Sequence, residues 1–149
     1  MRVGQFGIDQ KYRDRKRYLY ALSFSNGCVY IGQTVNLQRR TSQHKASKGG
    51  WQGQTFTCTK LGEVYGTEAL AIDHEHAWRF VAHQAGKRIY GLPSNVIVKP
   101  VNQMTPQRYA IAKTLRWKHL DGASSIWGWM KWLAAGIAAS VALTAMHIV

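Results

Sequence analysis

The chain is short of acidic residues: seven Asp and Glu stand against 20 Lys and Arg, which gives a formal net charge of +13. Such an excess favours a polyanionic partner, either a nucleic acid or an anionic membrane surface, over a solvated surface without a partner. Cysteine is scarce too. Cys28 and Cys58 are too few for a disulfide framework or a thiolate zinc site, so we expect buried free thiols in a reducing compartment; a single bridge between them is the alternative. The charged segment 11–17 has no apolar run beside it, so we expect no signal peptide.

Long apolar runs are missing until residue 126. Residues 126–149 carry Lys131 as their only formal charge, and the last 18 residues carry none, which is at the short end for a helix that spans a bilayer. We expect a hydrophobic C-terminal helix that anchors residues 1–120 to the cytoplasmic face of a membrane. The alternative is an Ala-rich helix packed on the domain, which would leave the protein cytoplasmic. Small residues at four-residue spacing in this tail would let two helices approach closely in a homodimer.

Hydrophobic periodicity and turn residues predict the fold. Asn26-Gly27 is a strong hairpin signal between two strands rich in β-formers. Asn36 and Thr67 are placed to cap two helices. The predicted strands are 18–24, 28–33 and 56–64, with 94–98 as a short strand or extended stretch, and the predicted helices are 37–47, 68–84 and 105–120. We therefore expect an α+β fold: a small three-stranded antiparallel sheet flanked by helices, followed by the C-terminal hydrophobic helix.

Four side chains suited to phosphodiester chemistry lie close together in sequence. Tyr20 and Tyr30 are on the two hairpin strands, where their hydroxyls can face one cleft. Arg40 and His44 are four residues apart and so share one face of the next helix. The guanidinium fork of Arg40 matches two phosphate oxygens, and His44 can transfer protons near neutral pH. A tyrosine would need nearby positive charge, from a metal or from Arg40, to lower its pKa enough to act as a base.

A divalent cation would need an oxygen ligand, and Glu75 in the middle of the second helix is the candidate. One carboxylate is enough for Mg²⁺ or Mn²⁺ when water and substrate phosphates complete the coordination. The alternative is a surface glutamate paired with Arg79 at i+4. Asp73 is the second choice of ligand.

These motifs resemble the GIY-YIG nuclease superfamily. The resemblance covers roughly residues 17–98 and is carried by Tyr-Leu-Tyr at 18–20, by Tyr-Ile-Gly-Gln-Thr at 30–34, and then by Arg40 and His44. The first motif departs from the family pattern Gly-Ile-Tyr but keeps the tyrosine. Glu75 follows an alanine by four residues, as the family glutamate often does, and so does Asp73. Asn95 after Pro93-Ser94 matches the downstream asparagine, at a longer spacing than expected.

The resemblance implies one-step, metal-assisted hydrolysis of a DNA strand, with a role for each matched residue. Tyr20 would be the general base or would orient the attacking water, and Tyr30 would bond to the water or the phosphate. Arg40 would stabilise charge in the transition state, and His44 would relay or supply a proton. Glu75 would hold Mg²⁺ or Mn²⁺, and Asn95 would position the glutamate or a tyrosine. The predicted substrate-binding residues are Gly32, Arg39 and Lys45.

The predicted organisation is therefore a basic arm at 1–16, a GIY-YIG-like nuclease domain at 17–100, a basic helical extension at 101–125 and the apolar tail at 126–149. Two alternatives remain open: a non-catalytic relative that only binds DNA, and a basic membrane-surface protein that binds anionic lipid. Nothing in the sequence predicts which DNA structure or sequence is the target.

Overall fold

The computed structural model describes residues 13–46, 50–51, 54–91 and 96–117, which form an α+β domain as predicted. Its elements in chain order are strand β1 (Arg15–Phe24), strand β2 (Cys28–Thr34), helix α1 (Leu37–Lys45), strand β3 (Phe56–Gly66), helix α2 (Glu68–Gln84), strand β4 (Arg88–Tyr90), strand β5 (Ile97–Val98), a 3-10 helix (Pro100–Gln103) and helix α3 (Pro106–Thr114).

The strands form one mixed five-stranded sheet in the order β3-β1-β2-β4-β5. β1 pairs antiparallel with β2, as the hairpin signal predicts, and β3 pairs antiparallel with the other edge of β1. β4, however, runs parallel to β2, and β5 pairs antiparallel with β4. The prediction of a three-stranded antiparallel sheet was therefore wrong in the number of strands and in the direction of one pairing. Strands of three and two residues are too short to show the alternation by which a strand is recognised in sequence.

The β1–β2 turn shows how the sequence fixes the sheet locally. Gly27 has a φ of +79°, a left-handed conformation that glycine adopts without strain. Asn26 stabilises the turn, since its Oδ1 accepts a hydrogen bond from the backbone N–H of Cys28 at 3.0 Å. The Nδ2 of the same side chain donates to the Tyr90 hydroxyl at 2.8 Å. One asparagine therefore both closes the hairpin and joins it to β4.

Both helices that border the site begin at the predicted caps. The Asn36 side chain accepts a hydrogen bond from the N–H of Arg39 at 2.9 Å, and the Thr67 hydroxyl accepts one from the N–H of Leu70 at 3.3 Å. These contacts satisfy N–H groups that have no partner within the helix. The caps fix the helix starts, and with them the positions of the residues one and two turns further on.

The core on one face of the sheet is largely aromatic. Side chains of a strand alternate between its two faces, and Tyr20, Leu22 and Phe24 of β1 all enter the same buried cluster. Trp51 lies at the centre of this cluster and is 2% exposed. Its ring centroid is 4.9 Å from that of Phe24, 5.2 Å from that of Tyr30 and 5.5 Å from that of Tyr90. Trp51 therefore packs against three strands at once.

The predicted apolar helix at 126–149 and most of the predicted arm at 1–16 lie outside the described residues. Within the described ranges, no helix combines the length and apolar character needed to cross a membrane.

Replacing Trp51 with alanine should lower the free energy of unfolding by about 3–5 kcal/mol, because the change leaves a large cavity inside the aromatic cluster. Tyr65→Ala is the matched control: Tyr65 is 72% exposed, so its loss should change stability by no more than about 0.5 kcal/mol. Urea unfolding of both variants measures the difference. Similar losses in the two would contradict the central place of Trp51 in the core.

Candidate active site

The hairpin brings the two predicted tyrosines to the same buried cluster. Tyr20 on β1 and Tyr30 on β2 are 0% and 3% exposed, and their ring centroids are 6.3 Å apart. Gly32 pairs directly with Tyr20 across the sheet. A Cβ added to Gly32 would lie 2.7 Å from the Tyr20 hydroxyl and 3.0 Å from the Tyr30 ring. The site therefore needs glycine here because the tyrosine rings occupy the space of a side chain.

Helix α1 brings the side chains of Arg40 and His44 within hydrogen-bond distance of the Tyr20 hydroxyl. His44 Nε2 lies 2.8 Å from this oxygen, and Arg40 donates to it from Nε at 3.4 Å. Arg40 also interacts with the hydroxyl of Tyr30. The two α1 residues are one helical turn apart, as their spacing predicts, so both reach the same phenol.

Burial sets the protonation states in this cluster. It lowers the pKa of His44 to about 4, with a further contribution from the charge of Arg40, so the imidazole is neutral at neutral pH. Burial also raises the pKa of Tyr20, more than the hydrogen bond and charge of Arg40 lower it, and the pKa of Tyr30 is raised for the same reason. Positive charge from Arg40 alone therefore does not bring the pKa of either tyrosine below its ordinary value. The cluster instead contains protonated phenols beside a neutral imidazole that can accept a proton.

Glu75 of α2 lies beside the same cluster. Its carboxylate is close enough to Tyr20 and Tyr30 to raise the pKa of each phenol. Burial raises the pKa of Glu75 itself, against the opposing effects of Arg79, of the Gln33 backbone N–H and of Arg40. The Glu75–Arg79 pair does form, but it is not a surface pair, since the two side chains are only 15% and 11% exposed.

Asp73, the second choice of metal ligand, faces a different neighbour. Its Oδ1 accepts a hydrogen bond from Arg108 Nε of α3 at 2.7 Å. Asp73 is therefore engaged with α3, whereas Glu75 contacts β2. Asp73 and Glu75 each follow an alanine by four residues, so this spacing does not show which of them is the better candidate for the metal ligand. Their neighbours in the fold do distinguish them.

The remaining predicted residues stand as follows. Arg39 and Lys45 are exposed on α1, on the helix that carries Arg40 and His44. Asn95 lies outside the described residues. Sequence reasoning missed one contact of Arg79, which donates from Nη2 to the backbone carbonyl of Ile31 on β2 at 3.2 Å. The i+4 spacing indicated its pairing with Glu75, but a contact to a strand carbonyl has no signal in the sequence.

Comparison with known proteins points to a nuclease family. The GIY-YIG catalytic domain family matches residues 16–88. A UPF0213 protein from Natronomonas pharaonis is 27% identical over 74 residues, which are 48% of this chain and 87% of that relative. No solved structure matches the chain. Residues 16–88 match the catalytic domain of the GIY-YIG family, and the resemblance seen in the sequence is confirmed over these residues.

Gly32→Ala should lower the free energy of unfolding by about 1–3 kcal/mol, because the buried tyrosines beside it have little room to move. Gly62→Ala in β3 is the matched control, since an added Cβ there meets nothing within 4 Å. Urea unfolding compares the two variants. A Gly32→Ala protein as stable as Gly62→Ala would contradict the tight packing of Tyr20 against β2.

The free energy of unfolding should fall as the pH falls from about 6.5 to about 4. In this window the unfolded chain protonates His44, with its ordinary pKa of 6.5, before the folded protein does so at about 4. His44→Gln should make this fall shallower. His76→Gln should do the same, because burial also lowers the pKa of His76 to about 4. Unfolding measured across this pH range tests both variants, and an unchanged slope in His44→Gln would contradict a buried neutral imidazole.

Proposed function

We propose that this protein is a metal-dependent endonuclease that hydrolyses a phosphodiester bond of DNA in one step, without a covalent intermediate. The observation that supports this most is the three-residue contact at the Tyr20 hydroxyl, with Arg40 and His44 both in hydrogen-bond reach. The family match over residues 16–88 supports the reaction class.

The protonation states favour a relay from Tyr20 to His44. In the proposed reaction a water oxygen attacks phosphorus while the bond to the leaving sugar oxygen breaks. The Tyr20 oxygen orients this water and takes up its proton, as the phenol passes its own proton to the neutral Nε2 of His44. Solvent water supplies a proton to the leaving oxygen and His44 later returns its proton to solvent, so the products are a phosphate monoester and an alcohol. Of the two roles considered for Tyr20, orienting the water fits its raised pKa better than acting alone as the base.

Arg40 supplies positive charge where the transition state gains negative charge. Its guanidinium is half-buried beside the Tyr20 hydroxyl, where a low local dielectric strengthens its effect on phosphate oxygens. Because Arg40 donates to Tyr20, it also keeps the phenol oxygen in place for the attacking water.

Glu75 is the residue that would hold the divalent cation. Among the described residues no group of three or more His, Cys, Asp and Glu could hold a metal ion. Glu75 offers one carboxylate, which is enough for a hard cation such as Mg²⁺ or Mn²⁺ when water and substrate phosphates complete the coordination. When bound, such an ion stabilises negative charge on the phosphate oxygens.

DNA is the proposed partner because of the charge of the chain and the place of two exposed cations. Arg39 and Lys45 lie on the helix that carries Arg40 and His44, so they can contact phosphates on either side of the bond that is cut. Such contacts give affinity that falls with salt and carry no information about base sequence.

Membrane attachment is a separate part of the proposal and is supported by the sequence only. The apolar residues 126–149 would hold the domain at the cytoplasmic face of a membrane, and their small residues would favour a homodimer.

Glu75→Gln should reduce nicking of supercoiled plasmid by the full-length protein in Mg²⁺ or Mn²⁺ at least about 100-fold, because the amide keeps the shape of the side chain but not its charge. The nicking rate, followed on agarose gels, measures the effect.

Asp73→Asn is the matched control, since it removes a carboxylate two residues away that faces α3, and it should stay within a few-fold of the wild-type rate. Loss of nicking in Asp73→Asn with activity retained in Glu75→Gln would show that Asp73, and not Glu75, holds the metal. A wild-type protein that binds DNA but never nicks it would favour the non-catalytic binding module.

A further inference from the structure

Among the strands that the structure describes, none covers the β4-paired edge of β2 beyond Tyr30. β4 pairs with β2 only from Cys28 to Tyr30. Buried backbone N–H and C=O groups need hydrogen-bond partners, and further along this edge the partners come from helix α2. Arg79 Nη2 donates to the Ile31 carbonyl at 3.2 Å, and the backbone N–H of Gln33 donates to the Glu75 carboxylate.

The two α2 side chains also bind each other. Glu75 and Arg79 are one helical turn apart and form an ion pair with side chains 15% and 11% exposed. The Glu75 carboxylate is thus held from two directions, by a strand N–H and by a guanidinium that is itself bonded to the strand. This arrangement leaves little rotational freedom to a long side chain.

The same contacts set the position of the carboxylate along β2. Ile31 and Gln33 are the two neighbours of Gly32, the residue that pairs with Tyr20. The contacts of Arg79 and Glu75 with this three-residue segment therefore hold the carboxylate beside the part of β2 that faces the reacting phenol.

We infer that Arg79 is a positioning residue for the metal site: it holds the Glu75 carboxylate against the open edge of β2, level with Gly32. The inference rests on the proposed function in taking Glu75 as the metal ligand. Arg79 touches neither metal nor substrate and acts through Glu75. Groups that orient a metal-binding side chain in this way typically change metal affinity or activity 10–100-fold when removed.

Arg79→Met keeps much of the aliphatic stem and removes the guanidinium. We expect the full-length variant to bind Mn²⁺, measured directly by electron paramagnetic resonance, roughly 10–100-fold more weakly than wild type. Hydrogen exchange at the Gln33 amide, followed by NMR without metal, should become faster because its acceptor is no longer fixed. Arg79→Lys, which keeps the charge but not the fork, should restore part of both properties.

Arg108→Met is a closely matched control. Arg108 also pairs with a carboxylate of α2, that of Asp73, and also donates to a backbone carbonyl, that of Gln103. If loss of a half-buried ion pair acted only through stability, Arg108→Met would weaken Mn²⁺ binding as Arg79→Met does. We expect it to leave both Mn²⁺ affinity and Gln33 exchange unchanged.

Unchanged Mn²⁺ affinity and unchanged Gln33 exchange in Arg79→Met would overturn the inference. Tighter Mn²⁺ binding would overturn it too, because Arg79 would then be a cation that competes with the metal. A wild-type protein that binds Mn²⁺ and loses affinity in Arg79→Met, but cuts no DNA, would support the inference and overturn the proposed function. A wild-type protein that binds no Mn²⁺ would overturn both.

Discussion

The contact between the Tyr20 hydroxyl and His44 Nε2 is the interaction on which the rest of the site depends. It joins the first strand of the sheet to helix α1 inside the aromatic cluster, and both side chains are buried. Because burial disfavours the charged forms, the imidazole is neutral and the phenol is protonated in the resting protein. The burial that packs these two side chains into the core therefore also sets their protonation states. The ring of Trp51, which fills the core, also packs beside His44, with the two ring centroids 6.5 Å apart.

Charge has a different role inside the domain from its role on the surface. The chain carries a large excess of cations, yet the buried positive charges beside the site are few and are matched to particular oxygens. Arg40 donates a hydrogen bond to the Tyr20 hydroxyl. Arg79 forms an ion pair with Glu75 and donates to the backbone carbonyl of Ile31. A buried cation without such partners would be costly. A net charge of this size would attract a polyanion over a distance, whereas the two guanidiniums beside the site each donate to particular oxygens.

Much of the local structure could be predicted from short-range chemistry, because the Asn26-Gly27 turn and the Asn36 and Thr67 caps act through neighbours in sequence. The convergence of the tyrosines, arginine and histidine also followed from strand and helix periodicity. Strand β4, the central position of Trp51 and the contact of Arg79 with β2 could not be predicted, whereas β5 lies in the stretch predicted as a short strand or extended. Each of the three depends on which segments meet in space, as does the burial that raises the pKa of both tyrosines.

The hydrogen bond from Asn26 to Tyr90 has a consequence for the order in which parts of the protein can fold. It connects residues 64 positions apart in sequence, and the parallel pairing of β2 with β4 spans a similar distance. Contacts of such long sequence separation form late, since the intervening chain must be ordered first. During synthesis the hairpin and α1 leave the ribosome long before β4 does. A nascent chain therefore holds Tyr20 and Tyr30 in an incomplete sheet, and the closed cluster forms only after the following helix and strand have been made.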